Sequence, residues 1–186
     1  MRTLSILLLS VGVQLTWAGP YVHGHVDRSL EQALRTGTDT DGKPLYLCVA
    51  NIFNSIQPGK TWAGYGRCNV AYGGKEYITS DFKIPPRNLF RNVAWQKNPV
   101  APLKVGREAD GKPLFLCQAR FRGGKQPGKT WPGYPHCNVS YAGQELILNN
   151  FEVLKENNQK PQTHQHHSNN HTHGFAPSKA IVTEYN

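Results

Sequence analysis

Two short runs alternate apolar and polar positions with a period of two: Leu45, Leu47 and Val49 face one way while Tyr46, Cys48 and Ala50 face the other, and Cys68, Val70 and Tyr72 repeat the pattern. An offset of 69 positions, without insertion or deletion, returns the same signature at Leu114 and Leu116, with Gln118 at the end of that face, and at Cys137, Val139 and Tyr141. Asp41-Gly42 and Asp110-Gly111 read as two-residue hairpin turns ahead of the first run. Gly73-Gly74 and Ala142-Gly143 turn the chain after the second, and a last strand carries Phe82 and Ile84, or Phe151 and Val153. Neither copy sustains a helical period. The expected fold is all-β: two tandem antiparallel repeats with pseudo-twofold symmetry, as one body or as two abutting modules.

The boundaries follow from composition. The first repeat spans 33–84 and the second 102–154. A connector, 85–101, opens on Pro85-Pro86 and closes on Pro99-Val100-Ala101-Pro102, with Leu89, Phe90, Val93 and Trp95 apolar enough to pack. Before the repeats, Ser29…Gln32 can cap one helical turn or lie extended. Residues 1–19, with the single charge Arg2, the apolar run from Leu4 to Val13 and small residues at Ala18 and Gly19, read as a secretory signal peptide. Residues 155–186 form a tail rich in Asn, Gln, His and Ser, expected to be disordered. No later stretch is apolar enough to span a membrane, so release to the extracellular side is expected.

The formal net charge of +9 becomes +8 once Arg2 is removed with the leader. A basic secreted chain is drawn to anionic polysaccharide, and scattered Lys and Arg without a nucleic-acid motif argue against nucleic acid as a partner. Four cysteines in such a chain imply two disulfides, for which three pairings exist. Pairing within each copy, Cys48 with Cys68 and Cys117 with Cys137, closes the shortest loops and is favoured. Each such loop is worth roughly 3 kcal/mol.

The hexapeptide Gln57-Pro58-Gly59-Lys60-Thr61-Trp62 recurs letter for letter as Gln126-Pro127-Gly128-Lys129-Thr130-Trp131. Pro-Gly predicts a type II turn that holds the lysine ammonium at its edge beside an indole. Asp39, replaced by Glu108 in the second copy, sits just before the hairpin turn, where backbone geometry requires no carboxylate. Asp41 and Asp110 read as turn residues. A carboxylate, an ammonium and a ring together suit a sugar: the charged groups hydrogen-bond its hydroxyls and the ring covers its C–H face. A surface ion pair with Trp62 and Trp131 in the core is the structural alternative. A nucleophile or acid/base pair has no support, since the one histidine in the repeats, His136, has Arg67 as its counterpart. The chain is therefore expected not to be an enzyme.

The run from Arg35 to Ala50, Pro58-Gly59-Lys60, Cys68 to Glu76 and Phe82 resembles the DM-nine repeat family, which commonly occurs as tandem pairs, and 102–154 matches as the second repeat. The resemblance implies an all-β, twofold-symmetric, mannose-binding lectin of innate immunity. It places sugar contacts on Asp39 with Lys60 and on Glu108 with Lys129. A homodimer is among the partners that multivalent glycan binding implies. The rival reading is a non-catalytic matrix or surface interaction protein with a basic surface. No cofactor is required, but His164, His166, His167, His171 and His173 in the tail offer imidazoles for Zn or Cu. Asn138 and Asn170 lie in glycosylation sequons.

Overall fold

The computed structural model describes residues 30–157; the leader, the tail from residue 158 with its histidines, and Asn170 lie outside the described residues. Lys155 and Glu156, assigned to the tail by composition, instead end the last strand of the second repeat because they pair with Ala94 and Val93. The first repeat supplies β1 (Arg35–Thr38), β2 (Pro44–Ile52), β3 (Ser55–Thr61), β4 (Cys68–Tyr72) and β5 (Lys75–Thr79). The connector contributes a 3-10 turn (Arg87–Phe90) and β6 (Val93–Gln96). The second repeat supplies β7 (Lys104–Arg107), β8 (Pro113–Phe121), β9 (Gly124–Thr130), β10 (Cys137–Tyr141), β11 (Gln144–Leu148) and β12 (Phe151–Glu156).

The fold is all-β and antiparallel, and the repeats build one sheet together rather than one each. Strand order runs β2-β1-β9-β10-β11-β5-β4-β3-β7-β8-β12-β6, and the further pairing of β2 with β3 and of β9 with β8 closes it into a barrel. The repeats exchange edges: β1 joins β9 at Thr38↔Lys125, and β7 joins β3 at Ile56↔Arg107. Gly37 and Gly106 stand at these crossings because a Cβ at either would collide with the carbonyl of Lys125 or Ile56.

The alternation of β2 and β8 buries both faces. Leu47, Val49, Phe90, Leu103, Val105, Leu116 and Leu154 form a core drawn from both repeats and the connector, with Val93 and Trp95 packed against it. The opposite faces build two smaller cores around the disulfides Cys48–Cys68 and Cys117–Cys137, the within-copy pairing. Leu89 is exposed, whereas Phe90 carries the connector's packing.

The Asp-Gly loops and the β2–β3 turn differ from expectation. Asp41-Gly42 is part of a three-residue loop, closed by Asp39 N–H to Lys43 O (2.8 Å) and Gly42 N–H to Asp39 O (3.0 Å), with Gly42 at φ +85°. Its counterpart at Asp110-Gly111 closes in the same way between Glu108 and Lys112. The β2–β3 connection is a two-residue turn at Phe53-Asn54, both at positive φ, without the glycine that would have announced it. The Gly73-Gly74 and Ala142-Gly143 turns stand as expected, but each leads into a strand, β5 or β11, that precedes the Phe82 or Phe151 segment. That segment is β12 in the second repeat, whereas the first keeps only the bridge Val49↔Lys83. Pro85 and Pro86 stand where Leu154 and Lys155 continue β12, and they have no N–H for a ladder.

Candidate functional site

Gln57-Pro58-Gly59-Lys60 is not a turn. It lies within β3, in register against β2 from Tyr46↔Thr61 to Ile52↔Ser55, and its second copy lies within β9. Gly59 is required by proximity: an added Cβ would stand 2.5 Å from Asn69 O and 2.7 Å from Cys68 Sγ. Extension sends Lys60 and Lys129 inward, so each is only 3% exposed instead of lying at a turn edge.

Each lysine crosses to the other repeat. Lys60 Nζ donates to Gln126 Oε1 and to Ser140 O, both at 2.6 Å, and lies 5.3 Å from the Tyr141 ring centre. Because Gln126 Oε1 accepts from the ammonium, its Nε2 turns toward the first repeat and donates to Asp39 Oδ1 at 2.9 Å. Asp39 and Lys60 are thus joined through the amide of the partner repeat. The second site mirrors this: Lys129 Nζ donates to Gln57 Oε1 (2.6 Å), Gln57 Nε2 donates to Glu108 Oε2 (2.8 Å), and Lys129 lies 4.8 Å from the Tyr72 ring. The longer Glu108 side chain also meets Lys129 directly at 3.5 Å.

Burial pushes both lysine pKa values below the usual 10.5, against the pull of Glu76 and Asp39 on Lys60 and of Glu108 and Glu145 on Lys129. Burial raises the Asp39 pKa, but the Thr40 N–H, the Gln126 amide, Lys43 and Lys60 outweigh it and hold the carboxyl below its ordinary 3.8. Asp39 therefore stays ionised across neutral pH, and its contribution to stability is lost only as pH falls through that lowered value.

Trp62 and Trp131 are neither core residues nor partners of the buried lysines. Each is half-buried just past its strand and stacks on a tyrosine, Trp62 on Tyr65 at 3.7 Å and Trp131 on Tyr134 at 3.8 Å. Lys43 is the cation over Trp62, at 4.8 Å, while it binds Asp39 and Asp41, each at 3.1 Å. Asp41 and Asp110 accept the backbone N–H of Lys43 and Lys112, as turn residues do.

Four repeated residues carry more of this arrangement than their spacing reveals. Gln57 and Gln126 are the relays. Glu76 accepts from Asn69 Nδ2 (2.8 Å) and from Gly143 N–H (2.8 Å), and Glu145 accepts from Asn138 Nδ2 (2.9 Å) and Gly74 N–H (2.7 Å). Each glutamate clasps the hairpin turn of the other repeat. Duplication at the 69-residue offset marked all four, but not the exchange that gives them partners.

Asn138 is 6% exposed, and its amide is committed to Glu145. We expect no glycan there when the chain is expressed through a secretory pathway. Intact mass after glycosidase treatment checks this, and an occupied Asn138 would contradict the geometry. His136 bonds Asn149 Oδ1 at 2.7 Å, and no cluster of metal-ligating side chains occurs among the described residues.

The DM9 repeat model matches residues 7–79, 39–148 and 108–185. The chain belongs to the DM9 repeat family. Two of these matches begin at Asp39 and Glu108, the carboxylates of the two sites, and two end at Thr79 and Leu148, where β5 and β11 end. Among solved structures the chain is similar to the nematode sperm cell motility protein MFP2B, with a TM-score of 0.50 and 17% identity. The similarity covers 68% of this chain and 42% of that protein, and at this identity it shows the fold alone. No curated protein matches the sequence.

Proposed function

We propose that this DM9 protein is a secreted, non-catalytic lectin for mannose-type glycans, serving innate immune recognition, with one site in each composite arrangement. The observation that carries the reading is a carboxylate left partly accessible above a buried ammonium: the side chains of Asp39 and Glu108 are 16% and 21% exposed, that of Lys129 only 4%. Sugar hydroxyls donate to the accessible carboxylate oxygens of Asp39 and Glu108. Lys60 and Lys129 fix the amides that orient those carboxylates and supply positive charge beneath the sugar. Two disulfides support an extracellular setting, and no described helix is long and apolar enough to cross a membrane.

Asp39→Asn is expected to weaken one of two sites at least about tenfold, a loss of about 1.4 kcal/mol that halves the stoichiometry seen for methyl mannoside by calorimetry, and Asp39→Asn with Glu108→Gln to weaken both sites to the same extent. An unchanged profile in the double variant sinks the lectin reading. Burial of the lysines favours a second reading, in which they only tie the repeats together and the chain is an extracellular matrix or surface interaction protein. Adhesion that collapses with ionic strength and ignores free mannose supports that alternative.

A further inference from the structure

The two repeats carry a matched pair of grooves, and the pair has diverged in chemistry. The first is lined by Val49, Asn51, Ile56, Asp81, Phe82 and Lys83 and encloses a cavity of about 30 Å³. The second, at the positions 69 residues later, is lined by Gln118, Arg120, Lys125, Asn150, Phe151 and Glu152, with Lys97 from the connector, and encloses about 160 Å³. Valine, asparagine and isoleucine have become glutamine, arginine and lysine.

Register sets these side chains together. Arg120 is opposite Lys125 in the β8–β9 ladder and Gln118 is opposite Glu152 in the β8–β12 ladder, so all four fall on one face. Gln118, 6% exposed, donates to Glu152 Oε2 at 2.9 Å, and Lys125 lies 3.8 Å from the same oxygen. That leaves three cations against one carboxylate in the groove, and among the described residues Lys97 and Arg120 form no ion pair. Asn150 adds an amide at the rim, while the neighbouring Phe151 ring turns to the other face and packs against the Cys117–Cys137 core.

We infer that this groove of the second repeat binds an acidic sugar, its sulfate or carboxylate held by Arg120 and Lys97 and its hydroxyls by Asn150 and the outer oxygens of Glu152. Guanidinium and ammonium groups around a recess pair with an oxyanion more strongly than scattered surface charge does, and the amide of Asn150 with the Glu152 carboxylate beside them offers hydroxyl partners that a free ion would not use. The first groove, nearly filled and with one acid beside one base, offers no such excess. The site is independent of the Asp39 and Glu108 carboxylates.

The test titrates the full chain with glucose 6-sulfate, glucuronate and glucose at about 0.15 M salt, where long-range attraction is screened. Both acidic sugars, or one of them, bind at one site per chain, and glucose does not; preference between the two identifies the anion. Arg120→Gln with Lys97→Gln, both exposed positions that leave the Lys125–Glu152 pair in place, weakens binding at least tenfold with an unchanged melting temperature. Asp39→Asn with Glu108→Gln leaves it unchanged. Absence of binding by the wild-type chain, equal binding of glucose, or full affinity in the Arg120/Lys97 variant overturns the assignment.

Discussion

Lys60→Ala is expected to lower the unfolding free energy by about 2–4 kcal/mol, because it leaves two buried acceptors without a donor at a typical cost of about 1–3 kcal/mol each. Those acceptors are Gln126 Oε1 and Ser140 O, and Gln126 is fully buried. Relief of the buried charge offsets part of the loss, which sets the upper bound. Without the ammonium, Gln126 Oε1 loses its donor and only the Asp39 carboxylate still fixes which way the amide turns. Lys60→Met keeps most of the apolar stem and should fall within about 1 kcal/mol of Lys60→Ala if the acceptors dominate. Urea unfolding measures both. The pH dependence has a definite sign: with the folded-state pKa below 10.5, the unfolded chain binds more protons between the two values, so wild-type stability gains a rising component as pH climbs toward 10.5. Lys60→Ala should remove its share of that rise. A variant within about 0.5 kcal/mol of wild type would mean that the relay is not structural.

The strands and their pairing into disulfides were legible because alternation and cysteine spacing are local. Leu45, Leu47 and Val49 against Cys48 and Ala50 could be placed on opposite faces without knowing what either face meets. The Pro-Gly hexapeptide was misread for a reason that is not local. Proline and glycine favour turns when steric freedom decides, but here Gly59 is demanded by the nearness of Asn69 O and Cys68 Sγ, and Pro58 lies beside the glycine of an exchanged strand, Gly106. A residue selected for lack of volume looks, in sequence, like one selected for backbone freedom. The site was half legible for the same reason. Asp39 and Lys60 do converge, but through Gln126 of the other copy, and a repeat offset of 69 shows that residues correspond without showing that they cross over.

That crossing leads to the second large effect: neither repeat should fold alone. A fragment of residues 21–101 would keep its disulfide and the β2–β3 hairpin, yet β3 would lose β7, β1 would lose β9, and the central core would lose Leu103, Val105, Leu116 and Leu154. Losing four buried aliphatic side chains, at roughly 1.5–3 kcal/mol each, removes about 6–12 kcal/mol, comparable with the entire stability of a domain this size. Lys60 would in addition face water where Gln126 and Ser140 O had been, and Glu76 would lose the Gly143 N–H. The fragment of residues 102–186 suffers the reciprocal losses at Gln57, Gly74 and Ile56. We therefore expect the full chain to unfold in one cooperative transition, each fragment to show none by circular dichroism, and an equimolar mixture to recover it, since the interface consists of main-chain pairing and side-chain contacts with no covalent bond across the repeats. An isolated fragment that melts cooperatively within a few degrees of the full chain would place the stability inside the repeat instead, and the exchanged strands and lysine relays would then be ornaments on two self-sufficient modules.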